Sequence, residues 1–215
     1  MTASEVAGIA ALTVKVAALA TAVNVVPGVL LALLLARRDF PGRSLVHALV
    51  ALPLILPPVA VGLALLKLFS RRGPLGDLEL AFTWKAAALA SAVMSFPLLV
   101  RTVEPAFAAV PRRLEQVAWT LGRSRASTFF SVTLPLARRG VLAGVLLAFA
   151  RSLGEFGASI VVAGDIPGRT ETVSMALWSR IQAGEDMAAA TLALVSVALG
   201  LAATLAAETL ARRRA

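Results

Sequence analysis

The residues of this 215-residue chain best placed to do chemistry are two charges inside an apolar run. In LLAFARSLGEFGAS, residues 146–159, Arg151 and Glu155 stand four apart, a spacing that puts two side chains on one helix face. A lone charge at the centre of a bilayer costs at least about 2.5–3.5 kcal/mol, so such residues face a bundle interior or a wet cavity. Two roles are open to this pair. Arg151 can hold an anion through charge-assisted hydrogen bonds, with Glu155 moderating the attraction so that the anion leaves. Alternatively the two form a salt bridge that locks helices at a gate, because a carboxylate on an anion's path repels it. Ser152 lies between them, and Gly154 and Gly157 permit a bend or a close backbone approach.

A second group of residues precedes it. LEQVAWTLGRSRASTFFSVTLP, residues 114–135, is polar and arginine-bearing. Leu114, Val117, Ala118 and Leu121 recur at helical spacing, leaving Glu115, Gln116 and Arg123 for the other side. Gly122 can end that helix in a left-handed turn. A second short helix over 125–132 would then stop at Leu134-Pro135. Such a helix–glycine–helix element suits either a groove in a partner protein or the acidic headgroups of a membrane surface.

Both groups must be positioned by elements that sit in lipid. Hydrophobic residues make up 59% of the chain and charged ones 15%, with a mean hydropathy of +0.85. Ordinary soluble domains are about 45–50% apolar and about 25% charged. The pattern therefore predicts an all-α integral membrane protein. Five transmembrane helices are expected near 9–36, 45–69, 83–108, 140–163 and 187–210, within one domain covering 1–215. The net charge of +9 comes from basic residues clustered in the gaps between apolar runs, the signature of membrane topology rather than of nucleic-acid binding. Twelve of the 21 basic residues fall in 37–44, 112–139 and the tail Arg212-Arg213-Arg214, against four in 70–82 and 164–187. That asymmetry predicts the N-terminus outside and the C-terminus inside.

The first apolar run has no basic residue before Lys15 and is too long for a cleaved signal, so it reads as a retained span. Pro27-Gly28 within it predicts a kink or a close helix contact. Pro53, Pro57 and Pro58 predict a kink or a gating element in the second span. Arg101 and Glu104 would share a face of the third. Gly140 and Gly144 form a small-xxx-small pair. Cysteine is absent and His47 is the single histidine, so thiol chemistry and a histidine metal cluster are excluded. A membrane-embedded enzyme lacks a catalytic constellation here, and a stand-alone carrier would show an inverted repeat.

The order Glu115-Gln116-Val117-Ala118, then Gly122, then a Leu134-Pro135 pair ending thirteen positions later resembles the EAA loop. That loop marks the membrane subunits of bacterial binding-protein-dependent ABC importers. Gln116 stands where the family usually has glutamate, and Val117 where it has a small residue. The segment Ala148–Ser159 is similar to the matching stretch of permeases for molybdate, tungstate and sulfate, and residues 166–184 look like the molybdate branch. The resemblance implies a type I ABC importer permease in the cell (inner) membrane, with 112–135 as a cytoplasmic coupling helix. Glu115, Gln116, Ala118, Gly122, Leu134 and Pro135 would then touch the ATPase. Arg151, Ser152, Gly154, Glu155 and Gly157 would line the path or gate. It further implies a homodimer, a cytoplasmic ATPase dimer that binds ATP-Mg, and an external oxyanion-binding protein. No cofactor and no metal are expected in this chain, which has no G-x-x-x-x-G-K-[ST] loop.

Overall fold

A computed structural model describes residues 1–212, and the described residues contain helices and turns without strands. Arg213 and Arg214 of the basic tail lie outside them.

Helix α1 spans Ala3–Arg37. Thr2 starts it with a reciprocal cap: its Oγ1 accepts the Glu5 N–H at 3.3 Å, and its own N–H donates to Glu5 Oε2 at 2.7 Å. At 1.5 Å per residue, α1 is about 52 Å long, and the stretch from Lys15 to Arg37 is about 33 Å. The second length matches the roughly 30 Å hydrocarbon core, so the first three turns project beyond it. Lys15 sits over the Trp84 ring at 3.8 Å, marking that boundary with an interfacial pair.

Helix α4, Trp84–Ala108, is the centre of the molecule. Two-thirds of its apolar window (67%) is buried, against 11% for the C-terminal helix. Lipid offers no hydrophobic gain for helix association, so close approach of small residues carries the packing. α4 supplies Ala86, Ala87, Ala88, Ala90 and Ala92, each at most 4% exposed. Gly28 of α1 seats against Leu99 and Phe96, so the Pro27-Gly28 step is a close helix contact. Asn24 Nδ2 donates to Ala92 O at 2.8 Å and to Ser95 Oγ at 3.1 Å, tying α1 to α4 with buried hydrogen bonds. On the opposite flank, helix α7 (Leu134–Leu153) lays Gly140 and Gly144 against Ala106 and Val103 of α4.

One expectation is corrected and two are sharpened by these elements. The second apolar run carries its expected kink as a full break at the prolines. It is two helices, α2 (Arg43–Ile55) and α3 (Pro58–Phe69), bent by 106°. Pro57 and Pro58 remove consecutive donors, and Leu56 and Pro57 are extended, with ψ of 144° and 130°. Leu134-Pro135 does not stop a helix. Helix α6 (Arg125–Thr128) passes through a π turn, Phe129–Thr133, directly into α7. The wide turn, closed by Leu134 N–H to Phe129 O, absorbs the proline's missing donor. Finally, Glu104 reaches across to α2. Its Oε1 is 3.4 Å from Arg43 Nη2 and 3.5 Å from His47 Nε2, which gives the one histidine a place.

Helix α5 covers Arg112–Thr120, α8 Gly157–Ala163, α9 Val173–Gln182 and α10 Asp186–Arg212. α9 packs Val173 and Ala176 against Ile9 of α1 and Leu192 of α10. Among the described residues, four helical runs are long and apolar enough to cross a bilayer (3–37, 84–108, 125–153 and 186–206), and the bent α2–α3 pair passes the same test when taken as one span.

Candidate coupling surface and gate

Helix α5 is held at the arginine-rich end of the bundle, and its ends follow from sequence. Pro111 precedes the first turn with extended geometry, φ −62° and ψ 122°. Gly122, at φ +82°, supplies the left-handed residue that closes the helix. Arg123 N–H reaches Ala118 O and Gly122 N–H reaches Trp119 O, both at 3.0 Å, which is the Schellman arrangement. Ser124 then caps α6, its Oγ accepting the Ser127 N–H at 3.2 Å.

The apolar side of α5 is the outward one. Leu114, Val117 and Leu121 are 45, 48 and 78% exposed, whereas Glu115 and Ala118 are buried. The reason is electrostatic. Glu115 Oε1 accepts from Arg37 Nη2 at 2.9 Å and from Thr133 Oγ1 at 2.7 Å, which turns the acid inward and leaves the leucine–valine stripe uncovered. Gln116 is exposed and borders a cavity of 610 Å³ with Leu30, Leu34, Arg37, Trp119 and Phe129. Of the other predicted coupling residues, Gly122 is open on its Cβ side. Pro135 is exposed, and Leu134 is half-buried against the core cluster that contains Phe107. The Arg37–Glu115 pair escaped the sequence reading, although Glu115 is the sole acid among residues 112–139 and Arg37 ends an apolar span.

The membrane pair forms, with a changed geometry. α7 ends at Leu153 and the chain turns at Gly154, so Glu155 lies in the break before α8 rather than on the helix face with Arg151. Arg151 Nη1 meets Glu155 Oε2 at 2.8 Å. Glu155 Oε1 accepts the Ala158 N–H at 2.9 Å, so the same carboxylate caps α8. The Glu155 side chain is 2% exposed and that of Arg151 29%. Ser152 is buried, and its Oγ has no hydrogen-bond partner among the described residues. Gly157 and Gly62 let α8 lie on α3: a Cβ on Gly157 would stand 2.8 Å from Pro58 Cβ, and one on Gly62 would stand 2.5 Å from Ala158 O. The proline break and the charge pair are thus one packed unit.

At the far end of the bundle, the loop after α8 forms a polar knot. Thr170 Oγ1 donates to Gly164 O at 2.7 Å, Ser179 donates to Asp165, and Arg180 stands 3.7 Å from Glu171 and 3.3 Å from Glu185. Burial, and then the nearby Asp165, push the Glu171 carboxyl above the ordinary glutamate range, while Arg180 opposes them. No group of three or more His, Asp or Glu side chains is placed to hold a metal among the described residues.

This arrangement has known counterparts. The chain is 46% identical over 209 residues to the molybdenum transport system permease protein ModB of Escherichia coli (strain K12), covering 94% of this chain and 91% of that one. It is 40% identical over 207 residues to the sulfate transport system permease protein CysT of Salmonella typhimurium, covering 94% and 75%. The fold matches the crystal structure of a bacterial ABC transporter involved in the import of the acidic polysaccharide alginate, with a TM-score of 0.77 at 15% identity over 99% of this chain and 80% of that one. The family description "binding-protein-dependent transport system inner membrane component" fits residues 28–215, and the chain belongs to that family of multi-pass inner-membrane permeases.

Proposed function

We propose that this chain is the permease subunit of an ATP-driven molybdate importer, moving the oxyanion across the inner membrane by alternating access. The observation that carries this reading is the uncovered apolar face of α5, fixed in place by buried polar bonds at the arginine-rich end. A helix that exposes Leu114, Val117 and Leu121 from a rigid mount is built to enter a groove in another protein. In this reading that protein is a cytoplasmic ATPase dimer, and hydrolysis belongs to it alone. Its two nucleotide states must bind α5 with different affinity, because only differential binding shifts a conformational equilibrium.

The remaining parts follow the same reading. Two copies of the chain enclose the path, the arginine-rich end faces the cytoplasm, and an external oxyanion-binding protein delivers the anion to the opposite end. The Arg151–Glu155 pair serves as a lock at the gate, since both charges are satisfied within the chain and Glu155 also holds α8. The test is uptake of labelled molybdate by proteoliposomes containing this chain, the ATPase and the binding protein. Uptake that requires ATP and is outcompeted by molybdate and tungstate at lower concentration than by sulfate supports the reading. ATP-independent uptake contradicts it, and preferential competition by sulfate moves the chain to the sulfate branch.

A further inference from the structure

Glu115 is the one acid among six arginines in residues 112–139, and it is buried. A single carboxylate oxygen, Oε1, takes hydrogen bonds from Arg37 Nη2 at 2.9 Å and from Thr133 Oγ1 at 2.7 Å. Arg37 is the last residue of α1, and Thr133 is the last residue of the π turn that feeds α7. Arg37 is itself fixed, donating through Nη1 and Nη2 to Val110 O at 3.1 Å each, in the link between α4 and α5. Arg112 Nη2 closes the ring by donating to Arg37 O at 2.8 Å. One carboxylate thus joins α5 to the ends of α1, α4 and the π turn. The Arg37 and Glu115 side chains are only 14 and 10% exposed, so the bonds are charge-assisted and largely shielded from water.

We infer that Glu115 is a positioning residue that transmits displacement of α5 to α1 and α7, and that it makes no contact with the ATPase. The inference rests on the docking of α5 proposed above. It divides the labour between the two sides of one helix: Leu114, Val117 and Leu121 meet the partner, and Glu115 passes the motion inward. Gln116, exposed and one residue on, is the polar side chain left to face the ATPase. The site of the wide π turn is consistent with this task. Such a turn has one carbonyl–amide register to spare, so α7 can be pulled at Thr133 without breaking its helix.

The experiment uses the reconstituted complex and three variants, Glu115→Gln, Thr133→Val and Val117→Asp. It measures ATPase association, ATP turnover and labelled molybdate taken up per ATP. Thr133 is buried, so it cannot touch the ATPase, and its valine variant removes one hydroxyl even if Glu115→Gln folds poorly. The expected result is unchanged association for Glu115→Gln and Thr133→Val, with transport per ATP lowered about tenfold, because glutamine keeps the accepting oxygen but loses its charge and valine removes the Thr133 donor. Val117→Asp should instead lose association. Loss of association in Glu115→Gln while Thr133→Val stays fully coupled would make Glu115 a docking contact and overturn the inference, as would full coupling in both. Association untouched by Val117→Asp would sink the docking reading itself, a distinct failure.

Discussion

Glu155→Ala is the substitution whose consequences are best defined by the geometry. The wild-type carboxylate is 2% exposed and uses both oxygens, Oε2 toward Arg151 at 2.8 Å and Oε1 toward the Ala158 N–H at 2.9 Å. Alanine leaves a guanidinium without its partner in an apolar setting and an amide at the start of α8 without an acceptor. Deleting one member of a buried ion pair costs about 3–5 kcal/mol. For a chain of this size, each kcal/mol lowers the melting temperature by about 2–4 °C, so a drop of roughly 6–20 °C is expected. Glu155→Gln keeps one accepting oxygen, enough for Arg151 or for the Ala158 N–H but not for both, and should cost less than alanine. In an Arg151→Met background, Glu155→Gln should cost less again, because no charge is left unpaired. The assay is thermal unfolding of the assembled complex in nanodiscs, read beside molybdate uptake. A Glu155→Ala complex that melts normally yet transports nothing would refute the lock and place the pair in contact with the anion.

Two further outcomes follow from other parts of the fold. Gly62→Ala places a Cβ 2.5 Å from Ala158 O, where backbone must yield, and should destabilise the protein by about 1–3 kcal/mol, whereas Gly8→Ala, with nothing within 4 Å, should not; equal melting temperatures would argue against the close α3–α8 contact. Glu171 has its pKa raised on folding, so its contribution to stability is complete below the unfolded value and is lost as pH rises through the folded one. Wild type should therefore gain stability on acidification relative to Glu171→Gln, and parallel pH profiles would contradict the burial argument.

How much of this was readable in the sequence depended on the range of the interactions involved. α1, α4 and α10 are set by long, predominantly apolar runs, so their existence and approximate limits are local properties. The break between α2 and α3 was marked by Pro57 and Pro58, but its 106° angle comes from how α3 packs on α8 through Gly62, which no local pattern encodes. Leu134-Pro135 misled because a π turn can pass a proline that would end an α-helix. The inward turn of Glu115 depends on Arg37, 78 positions away, and spacing rules that reach three or four residues cannot detect it. Arg151 and Glu155 were found by spacing, yet the chain bends at Gly154, so their contact spans a helix end instead of a helix face.

The central claim is that the α5 face docks an ATPase, and Gly122 gives the cleanest access to it. No atom lies within 4 Å of where its Cβ would be, so a side chain there projects away from the fold, and its φ of +82° is one that asparagine tolerates. The decisive measurement is ATPase affinity and ATP-driven molybdate uptake for Gly122→Trp beside Gly122→Asn. Near-normal binding and uptake with asparagine, and loss of both with tryptophan, is the predicted result. Full binding and uptake with tryptophan would contradict the account.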